Sequence, residues 1–449
     1  MHTIFIGLLL LCGSVEGVEF KAGVARAVIT PPSPIWMSGF AARKHASEGV
    51  IHDLWAKALA LEDASGGRVV IVTTDVIGLP REVSDEVAAR VQKKHGLQRA
   101  QLLLNSSHTH CGPVIWPNLK MMYDLSAEDQ QRLVDYSRKL TDELVGVVGA
   151  AVADLKPAKV SCGRGSVGFA INRREKTPKG MRIGLNPEGP TDHDVPVLKI
   201  AAPDGKLRAV LCGYACHNTT LGGDFYQING DYAGFAQLEL EKAQPGATAM
   251  FVILCGADQN PSPRGKLELA QRHGRELADE VTRVLGGELR PVRPPIRTAY
   301  EVVSLDFAPH DRGTFEEEAK SKDVYQQRRA KLMLSAYDAG RPVRSCPYPV
   351  QAVRLGDDLT LVALAGEVVV DYSLRLKREF PRENLVVAGY SNEVLCYIPS
   401  LRVLREGGYE AVESMRYYGQ PGPFAERVEE TIVAACRELL GRTGAKISR

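Results

Sequence analysis

The stretch Gln101-Leu102-Leu103-Leu104-Asn105-Ser106-Ser107-His108-Thr109-His110-Cys111-Gly112-Pro113 decides how this chain is read. Three leucines followed by short polar residues describe a buried strand that ends abruptly. Two histidines then stand two residues apart, a spacing that points side chains to one side of an extended chain. Just past a strand end they face the crevice where α/β proteins place their ligands. Neutral imidazole is a good zinc ligand, so His108 and His110 are metal candidates. Taken alone, the pair is equally consistent with histidines that satisfy local backbone.

Working outward, further apolar runs occupy 58–61, 69–74, 197–201, 209–215, 250–254, 359–364 and 385–388. Several are unbroken Val/Ile/Leu segments, as in strands buried on both faces. Helical spacing lies between them. Val83, Val87 and Val91 form a stripe stopped by Gly96. Ser126 and Asp129 resemble a capping box ahead of Leu133, Leu140, Leu144 and Val148. Asp231 is placed to cap a helix running toward Pro245, Leu269–Val284 forms another, and Phe424, Val428, Ile432 and Leu439 mark the last. Strands alternating with helices predict an α/β fold of layered mixed β-sheets, helices packed outside, with the active site at strand ends. The stretch 291–295, Pro-Val-Arg-Pro-Pro, is a connector that divides 18–290 from 296–449. The charged stretch 315–339 reads as a solvated helix.

Polar groups follow several of these runs. His217 follows 209–215, Asp258 and Asn260 follow 250–254, and Glu367 follows 359–364. Two imidazoles and one carboxylate are a recurring catalytic zinc set. His52 and His193, beside aspartates, are secondary candidates; His273 reads as a core residue, and His45, His95 and His310 as solvated.

The composition narrows the classes. With 449 residues, 44% hydrophobic and 24% charged, the chain is neither disordered nor fibrous. A formal charge of +2 gives no reason to expect a nucleic-acid partner. Nine cysteines include no Cys-x-x-Cys pair, which argues against a zinc ribbon. The apolar run 4–11, with Val15 and Gly17 at −3 and −1, makes 1–17 a signal peptide. That run is too short for a stable membrane span. Leu11 ahead of Cys12 is a poor lipid-attachment context, so a secreted or periplasmic protein without a lipid anchor is expected. The segment 163–168 matches G-x-G-x-x-G, but a loop-like stretch follows where a helix should open, so no nucleotide site is expected. No G-x-S-x-G elbow and no Walker A sequence occurs.

In register, the landmarks Asn105-Ser106-Ser107-His108-Thr109-His110, Ile171-Asn172-Arg173, His217, Asn229-Gly230-Asp231, Gly366-Glu367 and Ser391-Asn392 leading to Tyr397 and Tyr409 resemble the neutral/alkaline non-lysosomal ceramidase family. The resemblance is to that family's N-terminal catalytic domain, over 18–449. It implies one zinc ion per chain, held by His108, His217, Glu367 and Tyr397. It implies catalytic roles for His110, Arg173 and Tyr409 beside the metal. The implied reaction is zinc-dependent hydrolysis of a lipid-like N-acyl amide, ceramide or a relative. The family's Asp-x-Ser-Pro reads Asp258-Gln259-Asn260-Pro261, so a serine nucleophile is excluded and Asn260 takes that place. The loop Cys111–Trp116 is apolar where the family has glycines, and the family's C-terminal immunoglobulin-like domain has no counterpart in this sequence. Three rival readings stay open. One is an amidohydrolase-type barrel, one a cysteine hydrolase using Cys111, and one an inactive exported binding protein on the same scaffold.

Overall fold

In the computed structural model, which describes residues 20–445, alternate residues of the apolar runs point into different layers. In the strand Trp55–Asp63, Ala56, Ala58 and Ala60 pack on helices, while Leu59 and Leu61 face a second sheet. Thr248–Ile253 divides likewise, with Ala249 and Phe251 on the helical side and Met250 and Val252 inside. The period-two division builds four layers: helices, large sheet, second sheet, helices. The outer helices Arg81–His95, Ala127–Ala153, Asp231–Ala243 and Leu267–Leu285 cover the large sheet. Asp371–Glu379 and Val428–Thr443 cover the second. The signal-peptide segment lies outside the described residues.

Among the described residues the large sheet runs Thr248–Ile253, Leu207–Tyr214, Asp194–Ala201, Lys156–Ser166, Phe20–Val28, Trp55–Asp63, Arg68–Thr74, Leu102–Ser106, with Arg290–Pro291 added beside Lys156–Ser166. The second sheet is Ile296–Asp306, Ser345–Leu355, Leu359–Leu364, Leu385–Ala388. Most pairings are antiparallel, so the barrel alternative does not apply. Within these two sheets three pairs are parallel: Arg68–Thr74 with Leu102–Ser106, Leu207–Tyr214 with Thr248–Ile253, and Leu359–Leu364 with Leu385–Ala388. Each is joined through one helix, as a parallel pair requires.

The first two pairs occupy opposite ends of the large sheet, yet the sheet curls until those ends meet. Asn105 clamps them. Its Oδ1 accepts from Ile253 N at 3.0 Å, and its Nδ2 donates to Gly389 O at 2.9 Å and Ser391 Oγ at 3.1 Å. One buried carboxamide thus ties both edges of the large sheet to the second. Asp258 adds a second tie, accepting from Val370 N at 2.9 Å and Asn172 Nδ2 at 3.1 Å. Burial, reinforced by the charge of Asp371, pushes its carboxyl up to about 7.

Several expectations are corrected. Asp231 is not the cap of its helix but its first residue, at φ 50°, with its carboxylate accepting from Leu221 N and Tyr232 N. Residues 315–339 are not one solvated helix. Arg312–Glu318 and Val324–Asp338 pack on each other around Phe315 and Met333. His310 is not solvated, since its ring meets Tyr337 OH and Val343 O. In line with the expectation of no nucleotide site, Gly163 and Gly165 lie inside the strand Lys156–Ser166. A Cβ on Gly165 would sit 2.3 Å from Glu280 Oε1, so that glycine admits a helix rather than a phosphate. No helix among the described residues is long and apolar enough to cross a membrane.

Two outcomes follow from the ties. Asn105→Ala leaves Ile253 N–H without its acceptor and removes the amide donor from Gly389 O and Ser391 Oγ, and is expected to cost about 2–4 kcal/mol in urea unfolding; a loss below about 0.5 kcal/mol would refute the clamp. Asp258 binds its proton more tightly folded than unfolded, so its contribution is present in acid and declines as pH rises from about 4 to about 7. Asp258→Asn should flatten that decline; an unchanged slope across the same window contradicts the assignment.

Candidate metal centre

The carboxyl ends of the parallel pairs of the two sheets arrive at one place, and the sequence-predicted residues sit there. His108 and His110 follow Leu102–Ser106, and His217 follows Leu207–Tyr214. Glu367 follows Leu359–Leu364 and pairs in parallel register with Tyr397. His108 is not on extended chain, because the backbone turns there to φ 62°. The turn is held by Ser107 N to Thr74 O and His108 N to Val76 O. It sets the two rings edge to face, with His110 Nε2 3.1 Å from His108 Nε2.

Each parallel pair of the large sheet supplies both a histidine and the carbonyl that latches it. His108 Nδ1 lies 2.6 Å from Ile77 O, beyond the partner strand Arg68–Thr74. His217 Nδ1 lies 2.8 Å from Gly256 O, beyond Thr248–Ile253. A carbonyl only accepts, so each Nδ1 carries the proton and each Nε2 presents a lone pair. Both Nε2 atoms stand 3.1 Å from Glu367 Oε2, which has no hydrogen-bond donor. His217 Nε2 also lies 3.2 Å from Tyr397 OH. His108, His217, Glu367 and Tyr397 are all at most 3% exposed.

The two Nε2 atoms thus face Glu367 Oε2 acceptor to acceptor, which is unfavourable unless a cation lies between them. Burial lowers His217 to about 4, helped by the charge of Arg173, so the ring is neutral at ordinary pH. Burial likewise holds His110 well below its usual value, and His108 and His217 add to it. His108, His110 and His217 form a buried group, their nitrogens within 4.8 Å of one another, that can hold a metal ion. Nitrogen and oxygen donors with carbonyl-latched imidazoles are what a protein zinc site requires.

The remaining candidates form the wall. Arg173 donates to Tyr397 OH at 3.0 Å, to Glu410 Oε1 at 2.8 Å and to Asn260 Oδ1 at 3.3 Å. Asn260 Oδ1 also accepts from Thr219 Oγ1 at 3.3 Å. Tyr409 packs edge-on against Tyr397 with ring centroids 5.3 Å apart. Burial raises its phenol, which keeps it protonated. Asp258 belongs to the fold tie rather than to the ring of donors. His52 and His193 bond backbone, at Asp53 O and Gly230 N and at Ala170 O, and His273 packs on Phe169 in the core.

Three groups escaped the sequence. Tyr418 donates to Glu367 Oε1 from 51 positions along the chain. Tyr390, at φ 50°, packs tilted against His108 with ring centroids 4.4 Å apart. Glu410 is buried between Arg173 and Arg174. None carries a spacing signal; only the fold brings them in.

Comparison with known proteins supplies the family. Residues 20–259 match the model described as neutral/alkaline non-lysosomal ceramidase, N-terminal. The neutral ceramidase of Pseudomonas aeruginosa is 26% identical over 259 residues, 54% of this chain and 37% of that protein. That of Drosophila melanogaster is 27% identical over 251 residues, 53% and 34% of the two chains. The matched segment therefore spans about a third of each relative. The solved structure of the Pseudomonas aeruginosa neutral ceramidase superposes with a TM-score of 0.71 at 18% identity, over 96% of this chain and 76% of that one. The folds are the same, and with the family model fitting more than half of the sequence, the chain belongs to the neutral/alkaline non-lysosomal ceramidase family.

Proposed function

We propose that this protein is a zinc-dependent amide hydrolase that cleaves an N-acyl lipid, ceramide or a close relative. The observation that carries the reading is Glu367 Oε2, buried without a donor and 3.1 Å from the Nε2 atoms of both His108 and His217. His108, His217, Glu367 and Tyr397 would hold the ion. When bound, zinc supplies Lewis acidity and makes a water easy to ionise near pH 7.

The chain's own groups do the rest. An amide carbonyl is a poor electrophile, so its oxygen needs donors as charge builds. Tyr409, protonated because it is buried, is one donor, and such a donor is commonly worth about 3–4 kcal/mol. Nδ1 of His110 has no hydrogen-bond partner, so its proton is not pinned and Nε2 can hold it or release it. Arg173 keeps a fixed positive charge against Tyr397 OH and steadies that phenol. Asn260, a carboxamide, orients Arg173 and supplies no nucleophile. Tyr418 donates to Glu367 Oε1, which fixes the carboxylate with its other oxygen toward the imidazoles.

The relatives' names support the substrate class. The leader-like residues 1–17 support export to a secreted or periplasmic location.

Metal analysis of purified protein should give about one zinc per chain, and a panel of N-acyl substrates differing in chain length and amine should show amidase activity. His217→Ala should lose both; full metal retained in that variant would overturn the ligand set. Burial pushes Cys111 up to about 12, the wrong direction for a thiolate nucleophile. Cys111→Ala should therefore keep metal and most activity, whereas abolished turnover with zinc intact would favour cysteine chemistry.

A further inference from the structure

The strand Gly180–Asn186 is the free edge of a three-stranded sheet, and its apolar side chains are out of place there. Met181, Ile183 and Leu185 alternate along one face. Ile183 is 47% and Leu185 60% exposed, although each would gain by burial. The turn Tyr409–Glu413 packs against this strand and carries Val412, 40% exposed. Edge strands are ordinarily blunted with charge; here two neighbouring lysines lie beside the apolar row instead of on it. Lys176 and Lys179 are exposed, and neither ammonium has a partner among the described residues. Arg182, on the opposite face, is already paired with Glu175 at 2.9 Å.

This surface borders the metal centre through the chain itself. The strand Ala170–Thr177, which pairs with the apolar edge, carries Arg173, and the turn beside it begins with Tyr409.

We propose that this hairpin and the adjoining turn dock the protein on an anionic lipid surface. Ile183, Leu185 and Val412 enter the acyl boundary, and Lys176 and Lys179 meet the headgroups. Apolar insertion combined with unpaired basic charge is the pattern of reversible interfacial binding. A soluble protein partner would not need the free lysines to flank an apolar edge, and a bilayer rewards both at once. The inference rests on the lipid-substrate reading for its purpose, but not for its measurement.

The full-length protein is mixed with vesicles of phosphatidylcholine alone, or of phosphatidylcholine with one third phosphatidylserine, and sedimented. Wild type should bind the anionic vesicles and be released as salt is raised. Two variants, Ile183→Glu with Leu185→Glu and Lys176→Glu with Lys179→Glu, should each weaken binding by at least about tenfold. Both should leave the thermal unfolding midpoint and hydrolysis of a short, soluble N-acyl amide unchanged. Vesicle binding equal to wild type in both variants, or no binding by wild type, overturns the proposal. Binding that behaves as expected in a protein without amidase activity sustains the docking face and removes the hydrolase reading instead.

Discussion

Two imidazoles latched by backbone carbonyls aim bare nitrogens at a single buried carboxylate oxygen. That opposition is the constraint around which the fold is arranged. Without a positive charge in the middle it is unfavourable, because buried acceptors facing acceptors lose their hydration and gain nothing. The fold holds the arrangement by supplying each imidazole and its latch from the two strands of one parallel pair. The histidine cannot rotate away unless the neighbouring loop moves too. Tyr418 and the register between Glu367 and Tyr397 do the same for the carboxylate.

Some local backbone strain accompanies this. His108 at φ 62° and Tyr390 at φ 50° occupy the left-handed region, where a non-glycine residue costs on the order of 1–3 kcal/mol. Their rings pack against each other at a tilt, so the two strained residues support one another at the spot where the donors converge. The cost is met by the layered cores behind them, which bury both faces of the strands.

Much of this was legible in the residues. The runs that became strands were continuous and apolar, and the stripe of Val83, Val87 and Val91 ended where Gly96 ends it. His108, His217 and Glu367 were visible because each follows such a run. What stayed hidden has a physical reason. Lys156–Ser166, Ile296–Asp306 and Ser345–Leu355 mix charge, and in the first and last proline, with apolar residues, since part of each strand faces solvent or a loop. The hand of the turn at His108 depends on hydrogen bonds to another strand's end. Tyr397 and Arg173 came only from family resemblance, and Tyr418 and Glu410 from neither, because a tyrosine or a glutamate outside a pattern announces nothing. The glycines at 163 and 165 mimic a phosphate loop in pattern alone, which the stretch after them already argued against, and they make room for a helix.

The curl that brings both ends of the large sheet together also divides responsibility along the chain. The family-matched segment 20–259 contains all three imidazoles and both of their latches, while the acid and every phenol named here lie beyond it. A polypeptide stopped at that boundary would present a half-shell of nitrogen, aimed correctly at a point with no counter-charge. The centre therefore belongs to the second sheet as much as to the first, and neither portion of the sequence inherits it alone.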